Sequence, residues 1–400
     1  MRMSSVQIFQ QGISSILARQ AEVSHTEQQL ATGRRVLTPA DDPVAAVQIL
    51  DITEDLAQVD QFQRNGNLAQ GQLAQEDTVL ADVGNVLQRV RELVVQANNA
   101  SQSPETRRSI ATEVNARIDE LLALANTRDA SGEYIFAGFQ AKSAPFARQG
   151  GGFAYNGDDG QRFLQLGAST QVAVRDSGAD VFMSIPAGNG VFVIEPAAGN
   201  TGTAVVGSNS ARGGFVRDNY SISFSQPTPG DPVTYQVTDS AAAVVASGNY
   251  VAGGAIEFAG ASFSINGAPA DGDSFNLAPA PRQDMFTTLK NIVDSLNGAG
   301  PAPAAVAAVN NAMGRALSDI DQALGNVLQV RADVGVRLNH VDNQVDINES
   351  FSLQLQETLS GVQDLDYAEA ISRFNLQLTA LQAAQQAYVK MQGLSLFNYM

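Results

Sequence analysis

Nine positions alternating three and four residues apart, Leu317, Ile320, Leu324, Val327, Arg331, Val334, Leu338, Val341 and Val345, are apolar at every place except Arg331. Such spacing draws a single stripe along one face of an α-helix. With its flanks it predicts an unbroken helix from about Ala304 to Ser360, which at 1.5 Å per residue is roughly 80 Å long. Most globular helices are far shorter, so this one needs a partner of comparable length. A second long helix is predicted from Pro43 to about Ala100, its clearest stripe being Leu80, Val83, Leu87, Val90, Val94 and Ala97. Two such helices from opposite halves of the chain predict an elongated antiparallel bundle.

Other helices flank them. In "SQSPETRR", Ser103 suits an N-cap and Pro104 a first helical position; the helix that follows carries Ile110, Val114, Ile118, Leu121 and Ala125 on one face. Asp284 is placed to cap a short helix bearing Phe286, Leu289, Ile292 and Val293. At the chain ends, Phe9, Ile13, Ile16, Val23 and Leu30 form one narrow stripe, and Ile371, Phe374, Leu378, Leu381 and Tyr388 another.

Glycine separates these helices from the middle. Of 35 glycines, 22 fall between Gly138 and Gly272. There the pattern changes to alternation: Tyr220, Ile222, Phe224; Val233, Tyr235, Val237; Phe263, Ile265. That is the period of half-buried strands, and "PTPGDP", "SGNY" and "APADGDSF" punctuate them as turns. The expected class is α+β: an elongated antiparallel helical rod or coiled coil built by the two terminal segments, with an inserted antiparallel β domain. The expected divisions are terminal arms at 1–42 and 361–400, a helical rod with a β-hairpin at 43–183 and 284–360, and the β domain at 184–283.

Charge limits the partners. A net charge of -17 argues against nucleic acid or an anionic membrane surface, both of which select basic footprints. The charge is uneven: residues 1–40 carry four arginines against two glutamates, and residues 361–400 carry Arg373 and Lys390 against three acids. The ends are thus nearly neutral and can lie side by side. With no cysteine, disulfides and thiolate zinc sites are excluded. No apolar run reaches the ~18 residues that span a bilayer, and the start lacks a secretory apolar core, so a secreted chain would need another export route.

The stretch "LATGRRVLTPADDPVAA" (30–46) concentrates charge between two predicted helices. Gly33 suits the left-handed residue ending the first helix. Arg34 and Arg35 then lie at that helix's negative end, Asp42 suits an N-cap with Pro43 first in the next helix, and Asp41 adds charge at its positive end. This reads as punctuation and lacks the extra base or ligand of an active site. His25 and His340 are isolated and expected to be solvated or on a helix flank. "NGDDG" (156–160) and "DGD" (271–273) read as tight turns, since neither has calcium-loop spacing. No catalytic residues, no metal ligands and no cofactor site are expected. Each arm stripe is either part of a core within one molecule or a surface completed by other subunits. A lone two-helix hairpin of 40 residues a side is marginal, which favours the second.

Several of these stretches resemble one family. "LATGRRVLTPADDPVAA" is similar to the block after the first helix of bacterial flagellins and hook-associated proteins. "ANTRDASGEYIFAGFQAKSAPF" (125–146) resembles their helix-to-hairpin junction, "DVGVRLNHVDNQ" (333–344) their returning helix, and "DLDYAEAISRFNLQLTALQAAQQAYVKMQGLSLFNYM" (364–400) their C-terminal arm. The "LSLFNYM" ending and the β segment "DNYSISF…VTYQVTD…GAPADGDSFNLAPAP" resemble the hook-associated members more than filament flagellins. The resemblance implies a structural protein, not an enzyme, secreted to the extracellular flagellum through the type III apparatus, at the junction of hook and filament. It implies like subunits in a ring or helical tube, a sister junction protein, flagellin beyond, and an export chaperone on the C-terminal arm, with no nucleic acid and no membrane insertion. A filament flagellin is the alternative within the family. A secreted binding module or glycan-acting enzyme carried by the β domain, using acids such as Asp271 and Asp273, is the alternative from another class.

Overall fold

A computed structural model describes residues 5–99, 101–228 and 230–393. The "LSLFNYM" ending lies outside the described residues. The chain runs helix, sheet, helix. Helices α1 (Ser5–Thr32), α2 (Pro43–Ala97) and α3 (Pro104–Ala125) come first. Short strands follow: β1 (Phe146–Gln149), β2 (Gly152–Tyr155), β3 (Phe163–Gln165) and β4 (Gln171–Ala173), then a π-helical turn at Ala179–Met183. Next come β5 (Ile185–Pro186), β6 (Phe192–Pro196), β7 (Val205–Ala211), β8 (Tyr220–Ser225), β9 (Thr234–Thr238), β10 (Val244–Asn249), β11 (Ala255–Phe258), β12 (Ala261–Asn266), β13 (Ser274–Pro279) and β14 (Arg282–Gln283). Helices α4 (Met285–Asn297), α5 (Pro303–Gln363) and α6 (Tyr367–Gly393) close the chain. Two compact units result, one of residues 1–65 with 344–400 and one of residues 66–343.

The 66–343 unit has a dense core. Leu80, Val83, Leu87, Val90, Val94 and Ala97 of α2 are all buried, as are Ile110, Val114, Ile118, Leu121 and Ala125 of α3. Ser103 caps α3, its hydroxyl accepting from the Thr106 amide, and Asp284 caps α4 by accepting from the Thr287 amide. The α5 stripe departs from expectation. Ile320, Val327, Val334 and Val341 are buried, but Leu317, Leu324 and Leu338 are only half-buried. Full burial recurs every seven residues, from Met313 through Val341, so one row of the 3-4 stripe faces the core and the other lies at its margin; Ala316 and Ala323 are buried beside it. Polar pairs align α2 and α5 antiparallel: Gln70 donates to Asp342, Arg91 to Asp321, and Arg331 to Asp77 at 2.8 Å. Arg331 therefore tolerates its stripe position because Asp77 meets it from the facing helix.

The β strands form a five-stranded antiparallel sheet, ordered β10-β9-β8-β13-β6, and a three-stranded one, β11-β12-β7. Both face one apolar core that includes Ile222, Phe224, Val237, Ile265, Phe275 and Leu277. The strands alternate buried and exposed residues as the sequence predicted, most clearly in β8 and β12. A row on α5 holds these sheets. The Asn311 amide accepts from the Val206 amide at 2.8 Å and donates to the Ala204 carbonyl at 2.9 Å, Asp319 accepts from the Gly188 amide, and Arg315 pairs with Glu195. Where the chain enters and leaves, β5 pairs with β14.

Both acidic turn motifs staple backbone. Asp158 accepts from the amides of Phe139 and Gly160, which hold its carboxyl below the usual range. Asp273 accepts from Thr201, Gly202 and Ala270, and Asp271 from Gln226. Among the described residues no group of three or more acids and histidines is placed to hold a metal ion.

Candidate assembly surfaces on the terminal helices

In the unit of residues 1–65 with 344–400, α1 and α6 lie antiparallel. The Phe9 ring meets the Tyr388 ring edge-on at 6.1 Å, Thr26 donates to Gln377 at 2.8 Å, and the Tyr367 hydroxyl lies over Gly33. At Gly12 an added Cβ would lie 2.9 Å from the Tyr388 ring, so a small residue is needed for the helices to approach.

This pair has almost no core. Among the described residues of α1, only Thr26 and Gln29 are fully buried, and both are polar; on α6 only Ala370 is. The stripe residues Phe9, Ile16, Val23, Leu30, Phe374, Leu378, Leu381 and Tyr388 are half-buried, while Ile13 and Ile371 are 46% and 50% exposed. Leu17, Leu376 and Val389 are more exposed still. On α6 a second stripe lies open as a shallow groove lined by Ser372, Asn375, Leu376, Thr379, Ala380 and Ala383. Sequence reading missed it, because one leucine among small and polar residues does not stand out from a solvated face. The signal was the helical 4-3-4 spacing of Ser372, Leu376, Thr379 and Ala383.

The charged stretch after α1 forms a corner clasped to the chain between α5 and α6. Gly33 takes the left-handed conformation at φ 69°. Next to it the backbones of Arg34 and Asp364 pair antiparallel: the Arg35 amide donates to the Gln363 carbonyl at 2.7 Å, and the Leu365 amide donates to the Gly33 carbonyl at 2.9 Å. The Arg35 guanidinium reaches the Val362 carbonyl at 2.9 Å and Asp42 at 3.3 Å. Its cation thus serves the carbonyl end of α5, whereas the sequence pointed to the end of its own helix. Asp42 accepts from the Ala45 amide at 3.0 Å and so caps α2, where Pro43 opens the helix; backbone and Arg35 donors hold its carboxyl below the usual range. Asp41, expected to add charge at the start of α2, also binds the loop before it. It accepts from the Thr38 and Leu37 amides and from His25 Nε2 at 3.0 Å, and the Thr38 amide foremost lowers its pKa. His25, expected to be isolated, is thereby part of the corner, while His340 is exposed.

A second feature escaped the sequence reading. Glu76 continues the α2 stripe between Leu73 and Leu80 and is 1% exposed. It accepts from the Asp176 amide at 2.9 Å. Asp176 accepts in turn from Arg337 at 2.6 Å and Gln161 at 3.0 Å, and neighbouring Arg175 pairs with Asp129. Burial first, then the Asp176 charge, push the Glu76 carboxyl up to about 8. The visible signal was an acid in an apolar stripe, opposite two arginines far off in sequence.

Terminal helices without a core of their own, attached to a body that has one, define a structural protein with coiled-coil ends. Comparison with known proteins narrows the class. Residues 4–141 match the bacterial flagellin N-terminal helical region and residues 317–400 the bacterial flagellin C-terminal helical region. Flagellar hook-associated protein 3 of Escherichia coli is 27% identical over 398 residues, spanning 100% of this chain and 99% of that one. A crystal structure of flagellar hook-associated protein 3 from Legionella pneumophila is 34% identical with a TM-score of 0.75, covering 78% of this chain and 98% of that one. The flagellar junction protein FlgL from Legionella pneumophila is 34% identical with a TM-score of 0.72, covering 80% and 100%. The chain belongs to the bacterial flagellin family, in its group of hook-associated junction proteins.

Proposed function

We propose that this chain is a non-enzymatic structural subunit that joins hook to filament in the extracellular flagellum and is exported through the flagellar type III apparatus. In this reading residues 1–42 and 361–400 are assembly arms, 43–183 and 284–360 a helical rod, and 184–283 a β domain facing solvent. The arms complete their packing against like subunits in a ring or tube. A sister junction protein contacts one side and flagellin the other, and an export chaperone covers the C-terminal arm before assembly. The observation that carries this is the pair of helices α1 and α6, in which no large apolar side chain among the described residues is fully buried. Covering that surface yields about 25 cal/mol per Å², and neighbouring subunits supply the cover.

Two substitutions test it. Ile13→Asp and Leu378→Asp each put a charge where a neighbour would pack, and the 66–343 core contains neither residue. Both variants are expected to fold but fail to join the flagellum, with loss of motility; wild-type motility in either would refute the arm reading. Deleting the gene separates junction from filament roles: hooks should persist while flagellin monomers appear in the medium.

A further inference from the structure

We propose that the arm formed by α1 and α6 in one copy of this chain lies against the start of α2 and the end of α5 in the next copy. The inference rests on the reading that the arms pack against like subunits, and it names the surface they meet. That surface lies in the same unit as the arms. Its inward side is filled, with Ala45, Val59 and Phe62 of α2 and Leu355 of α5 buried. Its outward side is apolar too. Val44, Val47 and Leu50 follow one another at every third residue on α2 and are 70%, 60% and 68% exposed. Ile347 and Phe351, one turn apart on α5, are also exposed. Solvated helix faces are ordinarily polar, and nothing in the single chain covers these two rows.

Charge selects the occupant. Between Pro43 and Gln63, α2 carries Asp51, Glu54, Asp55 and Asp60; between Gln344 and Gln363, α5 carries Asp346, Glu349 and Glu357. Neither stretch has a lysine or an arginine. All seven acids are exposed. The ion pairs among the described residues of this unit, Arg19–Glu22, His25–Asp41, Arg35–Asp42 and Arg373–Glu369, use none of them.

The arms have the opposite composition. Residues 1–21 and 370–400 carry Arg2, Arg19, Arg373 and Lys390 and no acid. Lys390 is exposed, and Arg19 and Arg373 pair only with acids a turn away on their own helices, contacts worth little in water. Leu17, Leu376 and Val389 are exposed among these cations. One surface is thus apolar with acids and the other apolar with cations. Complementary charge fixes register and rejects wrong partners, whereas two copies of the acidic surface repel. Because the two surfaces differ, the contact needs no two-fold axis and repeats head to tail around a ring or along a tube. The lengths agree as well: residues 5–21 of α1 extend about 25 Å and residues 43–63 of α2 about 30 Å.

The chain has no cysteine, so introduced thiols report this contact in assembled flagella. Val47→Cys with Leu376→Cys in one full-length chain would be treated with a short bismaleimide, and Leu50→Cys with Leu17→Cys is a second pair on the same two surfaces. A ladder of dimers, trimers and longer products is expected, because each copy links to the next. Val47→Cys alone should stay monomeric, and Leu376→Cys alone can give dimers at most. Adding Asp51→Lys and Glu54→Lys should lower the ladder or the incorporation several-fold, and adding Arg19→Glu and Lys390→Glu to that chain should restore it in part. No ladder from either pair, while Ile13→Asp and Leu378→Asp still block incorporation, would overturn this contact and leave the arm reading intact. No ladder together with motile arm variants would overturn both. A link within one chain, a link only to a different protein, or no restoration by the second charge reversal would also overturn the contact.

Discussion

Glu76 and Asp41 are both carboxylates that accept backbone amides, yet they shift in opposite directions, because burial dominates at Glu76 and the Thr38 amide at Asp41. An unfolded chain holds glutamate near 4.5, while folded Glu76 is pushed up to about 8. The folded state therefore binds the proton more tightly, so this group's contribution is complete below 4.5 and is lost as pH rises through about 8. Thermal midpoints should decline across that interval, and Glu76→Gln, neutral throughout, should flatten the decline. An identical slope in the variant would refute this. Asp41 is held below 3.8 by amides and by His25. Its contribution is present above 3.8 and is lost as pH falls through the lower folded value. The amides of Leu37 and Thr38 should accordingly exchange faster on acidification, and Asp41→Asn should show fast exchange even at neutral pH. Arg35 acts by geometry, since one guanidinium spans the Val362 carbonyl and Asp42. Arg35→Ala should destabilise the corner by about 1 kcal/mol. Arg35→Lys should recover little of it, because a single ammonium cannot serve both partners; full recovery in a denaturant titration would show that charge alone matters.

At the scale of elements, the helices were legible because each carries a stripe whose period differs from that of a strand. The α2 and α3 stripes are buried residue for residue. On α5 the stripe is legible but its depths are not, since which of its two rows faces the core depends on what packs against the helix. Strand identities followed from alternation, whereas sheet order did not, because β13 joins β8 to β6 across most of the β segment. The corner shows the same division. Gly33 and Asp42 act through local backbone and were readable; Arg35 and His25 act on groups brought close only by folding. Gly33→Ala should cost about 1 kcal/mol, from its positive φ more than from Tyr367, whose hydroxyl is the far end of an exposed side chain. The loss should appear as faster amide exchange in α1 and α6 with no change in α3 and α4, and uniform exchange changes would contradict it.

For the whole molecule, the proposed function assigns folding stability and assembly to different stretches. Burial is concentrated in residues 66–343, where helical and β cores are both filled. The terminal helices bury polar Thr26 and Gln29 and small Ala370, and leave their larger apolar groups half or fully exposed. Burial free energy scales with apolar area removed from water, so α1 and α6 add little to the isolated chain. Their near-neutral charge, against -17 for the whole, means that like copies proposed to pack through these segments would avoid the repulsion that the body would meet. Deleting residues 1–32 and 367–400 should therefore shift the main thermal transition by no more than about 3 °C, while abolishing incorporation into the flagellum. A large fall in the midpoint would mean that the arms stabilise the body within a single molecule, and assembly would then have to use surfaces other than the arm stripes.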